Sequence, residues 1–163
     1  MDITARPATE DDLEHLLRLY RRLEQEMVAL KTMWLLADGL PEPVEAAFKE
    51  ALDNSDAYVY LGEVDGVPLG FVVSRSEALL PQAHGERVGA VRLIYTEPET
   101  RGVGVGEAMI TAALRDLREA GHRLLDAHVP PGHRNAKNFF EAAGFAARSI
   151  VMHRDDAQDT PAR

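Results

Sequence analysis

The chain has 163 residues, 45% of them hydrophobic and 28% charged, the profile of one soluble globular domain long enough to build a core. Cysteine is absent, which excludes a disulfide framework, a thiolate nucleophile and thiolate-bound zinc. The formal net charge is −9 with no basic block, so nucleic acid is not expected as a partner.

The acidic balance would favour a cationic or amine-bearing substrate weakly, and solubility accounts for it as well. No apolar run approaches the about 18 residues of a membrane span. The opening Met1-Asp2-Ile3-Thr4-Ala5-Arg6-Pro7 has neither the basic nor the apolar region of a secretory leader. A cytoplasmic location with no membrane partner is therefore expected.

Asp2 to Arg6 reads as a short strand stopped by Pro7. Thr9-Glu10-Asp11-Asp12 has the form of a capping box, with an acid three residues after a Thr N-cap. Leu13, Leu16, Leu17, Tyr20, Leu23, Met27 and Leu30 then recur at helical spacing, predicting a helix to about Lys31. Thr32 to Pro43 is a break or loosely helical loop, and Pro43 suits the first turn of a helix over Val44 to Leu52. Ala57 to Val64 is a strand, Asp65-Gly66 a hairpin turn, and Pro68 to Ser76 the return strand. A loop covers Glu77 to Gly85. Arg87 to Thr96 is a long strand, apolar on both faces in its second half as a central strand requires.

After the glycines comes an amphipathic helix with Val105, Met109, Ala112, Ala113 and Leu117 on one stripe, ending at Gly121. Leu124 to Val129 is a strand, parallel to its predecessor if that helix is the crossover. Pro130-Pro131-Gly132 turns the chain into a short helix, Asn135 to Ala143, with Ala136, Phe139, Phe140 and Ala143 inward. Phe145 to His153 is a last strand or hairpin piece, and residues 155–163 form a frayed tail. The order predicts an α/β (mixed α+β) domain over residues 1–154. Its twisted mixed sheet would have antiparallel early strands, one parallel β–α–β unit and helices on both faces.

The strand–glycine loop–helix unit from Val91 to Ile110 organises the chain. Glycines let a backbone approach a ligand closely, and a helix beginning there directs unpaired N–H groups and its dipole at an anion. A Walker loop needs Lys then Ser or Thr after the last glycine, whereas Glu107-Ala108 follows here. A dinucleotide fingerprint needs its third glycine one residue beyond Gly106 and an early β–α–β unit. A turn serving only tight packing remains open.

Arg101, Gly104 and Gly106 fit Arg-x-x-Gly-x-Gly, and His133-Arg134-Asn135-Ala136-Lys137-Asn138-Phe139-Phe140-Glu141-Ala142-Ala143-Gly144-Phe145 gives an Asn, an Ala, then aromatic-Glu-x-x-Gly-Phe. With Ile3 to Asp12 as opening strand and helix start, the chain resembles the GNAT-type N-acetyltransferase superfamily along nearly its whole length. The resemblance implies a single GNAT-like domain using acetyl-coenzyme A (acetyl-CoA) as cosubstrate. The amides of Gly102, Val103, Gly104, Val105, Gly106 and Glu107 would hold its pyrophosphate beside Arg101. Backbone groups of Ile94, Tyr95 and Thr96 would pair with the pantetheine arm like an added strand and polarise the thioester. A primary amine, on a small molecule or peptide, would attack directly through a tetrahedral intermediate, since no cysteine exists for a covalent one. A homodimer is the assembly the resemblance suggests. An acyl-CoA sensor without turnover is the alternative, and a purely structural domain a second one.

Departures from the pattern fall at the acid–base end. His133 stands where the family usually has Asn, with Asn135 two residues on, and either would contact the pantetheine arm. Phe140 occupies the position of a tyrosine acid and cannot donate a proton. Tyr is expected to be tolerated there. Ala90 matches the family's glutamate base, and neither it nor Arg92 will serve. His128, with an ordinary pKa near 6.5, is the candidate base, and Tyr95 the candidate acid. A histidine in such a place is more often a surface or packing residue, and an aromatic on a central strand more often core. Glu63, Glu86 and His84 could relay protons through water, and Met27, Met33 and Trp34 could wall the acceptor pocket. No metal ligand set is present.

Overall fold

The computed structural model describes residues 1–30, 33–129 and 134–157. β1 (Ile3–Pro7) leads through a 3-10 turn into α1 (Leu13–Leu30), α2 (Trp34–Ala37) and α3 (Val44–Asp53). β2 (Ala57–Val64), β3 (Val67–Ala78) and β4 (Arg87–Thr96) follow, then α4 (Val105–Glu119), β5 (Leu124–Ala127) and α5 (Arg134–Ala142). The strands form one five-stranded sheet in the order β1-β2-β3-β4-β5. The first three pairings are antiparallel and β4·β5 is parallel, as the crossover through α4 requires. The expected mixed architecture is therefore present, with helices on both faces.

Each face of the sheet has its own core. On one, Leu16, Tyr20 and Met27 of α1 pack with Phe48 of α3 against Leu61, Phe71 and Leu93. On the other, Val105, Met109, Ala113 and Leu117 of α4 pack with Phe140 of α5 against Tyr60, Val72 and Val91. Gly62 sets how closely α4 rides on the sheet. A Cβ there would lie 2.6 Å from Val105 Cγ1 and 2.9 Å from Met109, so the first turn of α4 is seated directly on bare β2 backbone. The capping box at Thr9 forms, and its Asp12 also takes both terminal nitrogens of Arg6 at 2.8 Å. That pairing holds the Asp12 carboxyl down at about 2.

Two expectations change. The break after α1 contains a further short helix, α2, because Trp34 is pulled into the core beside Tyr20. Phe145 to His153 forms no strand. Its apolar residues Ile150, Val151 and Met152 are 71%, 84% and 87% exposed, so it finds neither a partner ladder nor a face to bury. β5 also ends at Ala127, short of Val129. The turn at 130–132 lies outside the described residues, as do Lys31 and Thr32.

Candidate active site

β4 carries an extra residue at its centre. Val73 pairs with Leu93 but Ser74 pairs with Val91, leaving Arg92 as a bulge that changes the local twist. Val91 packs on the α4 face and Leu93 on the α1 face, with Arg92 between them. The β4·β5 ladder stops nearby, at Val91↔Ala127 and the bond from His128 N–H to the Val91 carbonyl at 3.0 Å. Beyond that rung β4 has β3 on one side and, among the described residues, no strand on the other. Glu97 N–H donates to Leu69 O on β3 at 2.8 Å. Alternation along the strand then turns the backbone groups of Ile94 and Thr96 to the open edge and those of Tyr95 to β3. Of the three residues expected to meet the pantetheine arm, Ile94 and Thr96 turn their backbone there, and the Thr96 carbonyl already accepts from Arg101 Nε at 3.2 Å.

The glycine loop closes one end of this edge. Gly102 and Gly104 have φ of 84° and 106°, and Gly104 is the N-cap of α4. The first intrahelical bond of this segment runs from Ala108 N–H to Gly104 O. The N–H groups of Gly104, Val105, Gly106 and Glu107 therefore have no helical acceptor and lie at the positive end of the helix dipole. A pyrophosphate fits this donor set, and an added Cβ at Gly104 would stand in a disfavoured conformation. The Glu107 side chain is exposed, so its charge faces water.

Arg101 does not point freely at an anion. Its Nη2 meets Glu26 of α1 at 2.5 Å, its Nε donates to Thr96 O at 3.2 Å, and its guanidinium lies 5.6 Å from the Tyr95 ring centroid. Arg18 and Arg22 of α1 reach Glu97 at 3.0 and 3.2 Å. The stripe Arg18, Arg22, Glu26 thus bolts α1 to the end of β4. Tyr95 belongs to the same junction: it is 5% exposed and its hydroxyl donates to Glu97 at 3.1 Å. Burial, with Glu97 adding to it, pushes its pKa up. Its proton is committed to Glu97 on the α1 side.

His128 sits at the last rung of β4·β5. Leu125 and Ala127 pack toward α4, so the alternation puts Asp126 and His128 on the α1 face beside Arg92. Arg92 is held by Glu77 through Nε at 2.5 Å and Nη2 at 2.6 Å, and its Nη1 lies 3.4 Å from His128 Nδ1. Arg148 grips Asp126, with Nε on Oδ1 at 2.8 Å. Loss of surrounding water, then the Arg92 charge, pull the His128 pKa below its ordinary value, opposed by Glu77, Asp126 and Asp38. This cluster escaped the reading of the sequence. The signal was an arginine inside an otherwise apolar strand.

The remaining candidates are scattered. Glu63 is paired with Arg6 at 2.8 Å and Glu86 with Arg123 at 3.0 Å; His84 is an exposed turn residue with φ of 53°. Met27 and Trp34 are core, 2% and 3% exposed, whereas Met33 is 38% exposed. Phe140 is 3% exposed, wedged edge-on between Phe139 and Phe145 at 5.2 and 5.4 Å. A tyrosine hydroxyl there would have to find a partner beside these packed rings. Asn135 is exposed on α5. His133 lies outside the described residues, and among those described no cluster could hold a metal.

The Acetyltransferase (GNAT) family model matches residues 11–145. An uncharacterised N-acetyltransferase of Methanocaldococcus jannaschii is 25% identical over 151 residues, 91% of this chain and 62% of that one. A mycothiol acetyltransferase of Nocardiopsis dassonvillei is 36% identical over 78 residues, 47% of this chain and 24% of its own. The chain thus spans less than two thirds of these relatives' length. Among solved structures, a Bacillus halodurans protein superposes with a TM-score of 0.77 at 19% identity, covering 95% of this chain and 99% of that one. An aminoglycoside N-acetyltransferase in complex with coenzyme A gives 0.72 at 20% identity, covering 95% of each chain. With the family model covering most of its length, the chain belongs to the GNAT family of acetyltransferases.

Proposed function

We propose that this protein transfers an acetyl group from acetyl-CoA to a primary amine on a small molecule or peptide, by direct attack through a tetrahedral intermediate. One observation carries the reading: four N–H groups without a helical acceptor at the start of α4 follow closely on the edge of β4 at Ile94 and the Thr96 N–H, which pair with no strand among the described residues. The helix end supplies what a pyrophosphate needs, and the strand edge supplies what the pantetheine amides need. Coenzyme A in a structural neighbour of the same fold supports that assignment. The amine nitrogen attacks the thioester carbon, the oxyanion collapses, and the thiolate departs with the C–S electron pair. The ammonium proton leaves to water before attack.

The absence of a proton donor aimed at the sulfur favours a second reading, an acyl-CoA-binding sensor. Tyr95 is tied to Glu97 and Phe140 has no hydroxyl. Thiol release from acetyl-CoA with a panel of small amines, peptides and aminoglycosides separates the two. Amine-dependent release supports transfer; binding without release for every amine supports the sensor.

A further inference from the structure

We propose that His128 serves in this transfer as a neutral hydrogen-bond donor through Nε2–H, and that Arg92, clamped by Glu77, is the positioning residue that fixes it so. The inference rests on the transferase reading and deepens it. A guanidinium has donors only, so the nitrogen facing Arg92 Nη1 at 3.4 Å must present its lone pair. The single proton of a neutral imidazole then sits on Nε2. Arg92 is kept in place, because its other two nitrogens close a bidentate pair with Glu77. Among the described residues the ring makes no other hydrogen bond, which leaves Nε2–H available.

Four charged groups of the described residues act on the ring. Arg92 comes from β4, Glu77 from β3, Asp126 from β5 and Asp38 from the end of α2; Arg148 follows α5 and neutralises Asp126. Of these three carboxylates, Glu77 and Asp126 are already matched by arginines. Protonating the imidazole would place an N–H on Nδ1 against an arginine N–H, a like-charge contact. A base needs a lone pair aimed at its substrate, and the only lone pair here faces Arg92. A donor needs only an N–H, and His128 supplies one on a residue that stands at the last rung before the β4 edge opens.

The step balances without a proton leaving the ring. The amine pair forms the C–N bond, and the carbonyl π pair moves to oxygen. Nε2–H bonds to that oxyanion, the nitrogen gives its surplus proton to water, and the C–S pair then leaves with sulfur as the carbonyl reforms, the thiolate taking its proton from water. Such a donor in a partly dry cleft contributes about 100- to 1000-fold in kcat.

Nitrogen-15 NMR of the protein without ligand reads the arrangement directly. The expected spectrum is the Nε2–H tautomer titrating below 6.5. It should persist in Arg92→Lys, whose ammonium is also donor-only, and fade in Arg92→Met with a rise in pKa. An Nδ1–H tautomer in the wild type, or an Arg92→Met spectrum like wild type, overturns the assignment. Kinetics read the role: His128→Ala should lose about 100-fold in kcat, and His128→Gln, which keeps a donor, should stay within about tenfold of wild type. Equal losses in both variants, with a wild-type rate that falls with ionisation of this histidine, overturn the donor role and make it the base. A wild type silent with every amine refutes the transferase reading itself, and this role with it.

Discussion

Gly104 and Gly106 stand two residues apart in one loop, yet an alanine at each should move stability in opposite directions. Gly104 has φ of 106° and ψ of 0° as the N-cap of α4, a region that costs an L residue about 1–2 kcal/mol. Crowding adds little, since the new Cβ would be 3.6 Å from Ile3 Cδ1, an ordinary contact. Gly106 lies inside the first turn of α4 without positive φ. Its Cβ would meet the Phe139 ring at 3.5 Å, and alanine there regains about 0.5–1 kcal/mol of helix stability. At about 2–4 °C per kcal/mol for a chain of this size, Gly104→Ala should lower Tm by about 2–8 °C. Gly106→Ala should raise it by about 1–4 °C. Thermal melts followed by circular dichroism decide the matter. A Gly104→Ala protein as stable as wild type, or two shifts of the same sign, would refute the claim that Gly104 is held there by its backbone.

Other substitutions test the surrounding frame. The distance from the usual 3.8 to about 2 for the Asp12 carboxyl corresponds to about 2 kcal/mol at neutral pH. Because its pKa is depressed on folding, that stabilisation is present above about pH 4 and drains away as pH falls toward 2. Asp12→Asn should therefore cost about 2 kcal/mol in urea unfolding at pH 7 and about half that at pH 3; equal costs at both would count against it. Phe140→Tyr should lose about 1–3 kcal/mol, because it buries a hydroxyl without a partner among three packed rings. An unchanged melting temperature would mean the ring faces open space after all.

How far the sequence could be read depended on the range of the interaction. Asp65-Gly66 announced its hairpin because a two-residue turn with φ of 49° and 79° is decided locally. The glycines of the loop announced the start of α4 for the same reason, as did the Val105, Met109, Leu117 stripe for its buried face. The bulge at Arg92 was invisible, since it is a mismatch of register between β3 and β4 that neither strand declares alone. The Glu77–Arg92–His128 cluster spans 15 and 36 residues of sequence, so the histidine could be named but not its proton. Ile150 to Met152 misled in the other direction. Three apolar residues in a row have strand propensity, yet propensity does not supply a neighbouring strand. Tyr95 was correctly placed beside the glycine loop, while the role imagined for it ignored Glu97, two residues along the strand.

The measurement that bears most directly on the central claim is a calorimetric titration of acetyl-CoA into the wild-type protein and into Gly104→Glu. The first-turn amides of α4 and the open edge of β4 predict saturable one-site binding to the wild type. They predict no detectable binding to the variant, in which a carboxylate stands among the amides, with its circular dichroism unchanged. A variant that binds as tightly as wild type, or a wild type that gives no heat and no thermal stabilisation at saturating acetyl-CoA, would contradict the assignment of this loop as the donor site.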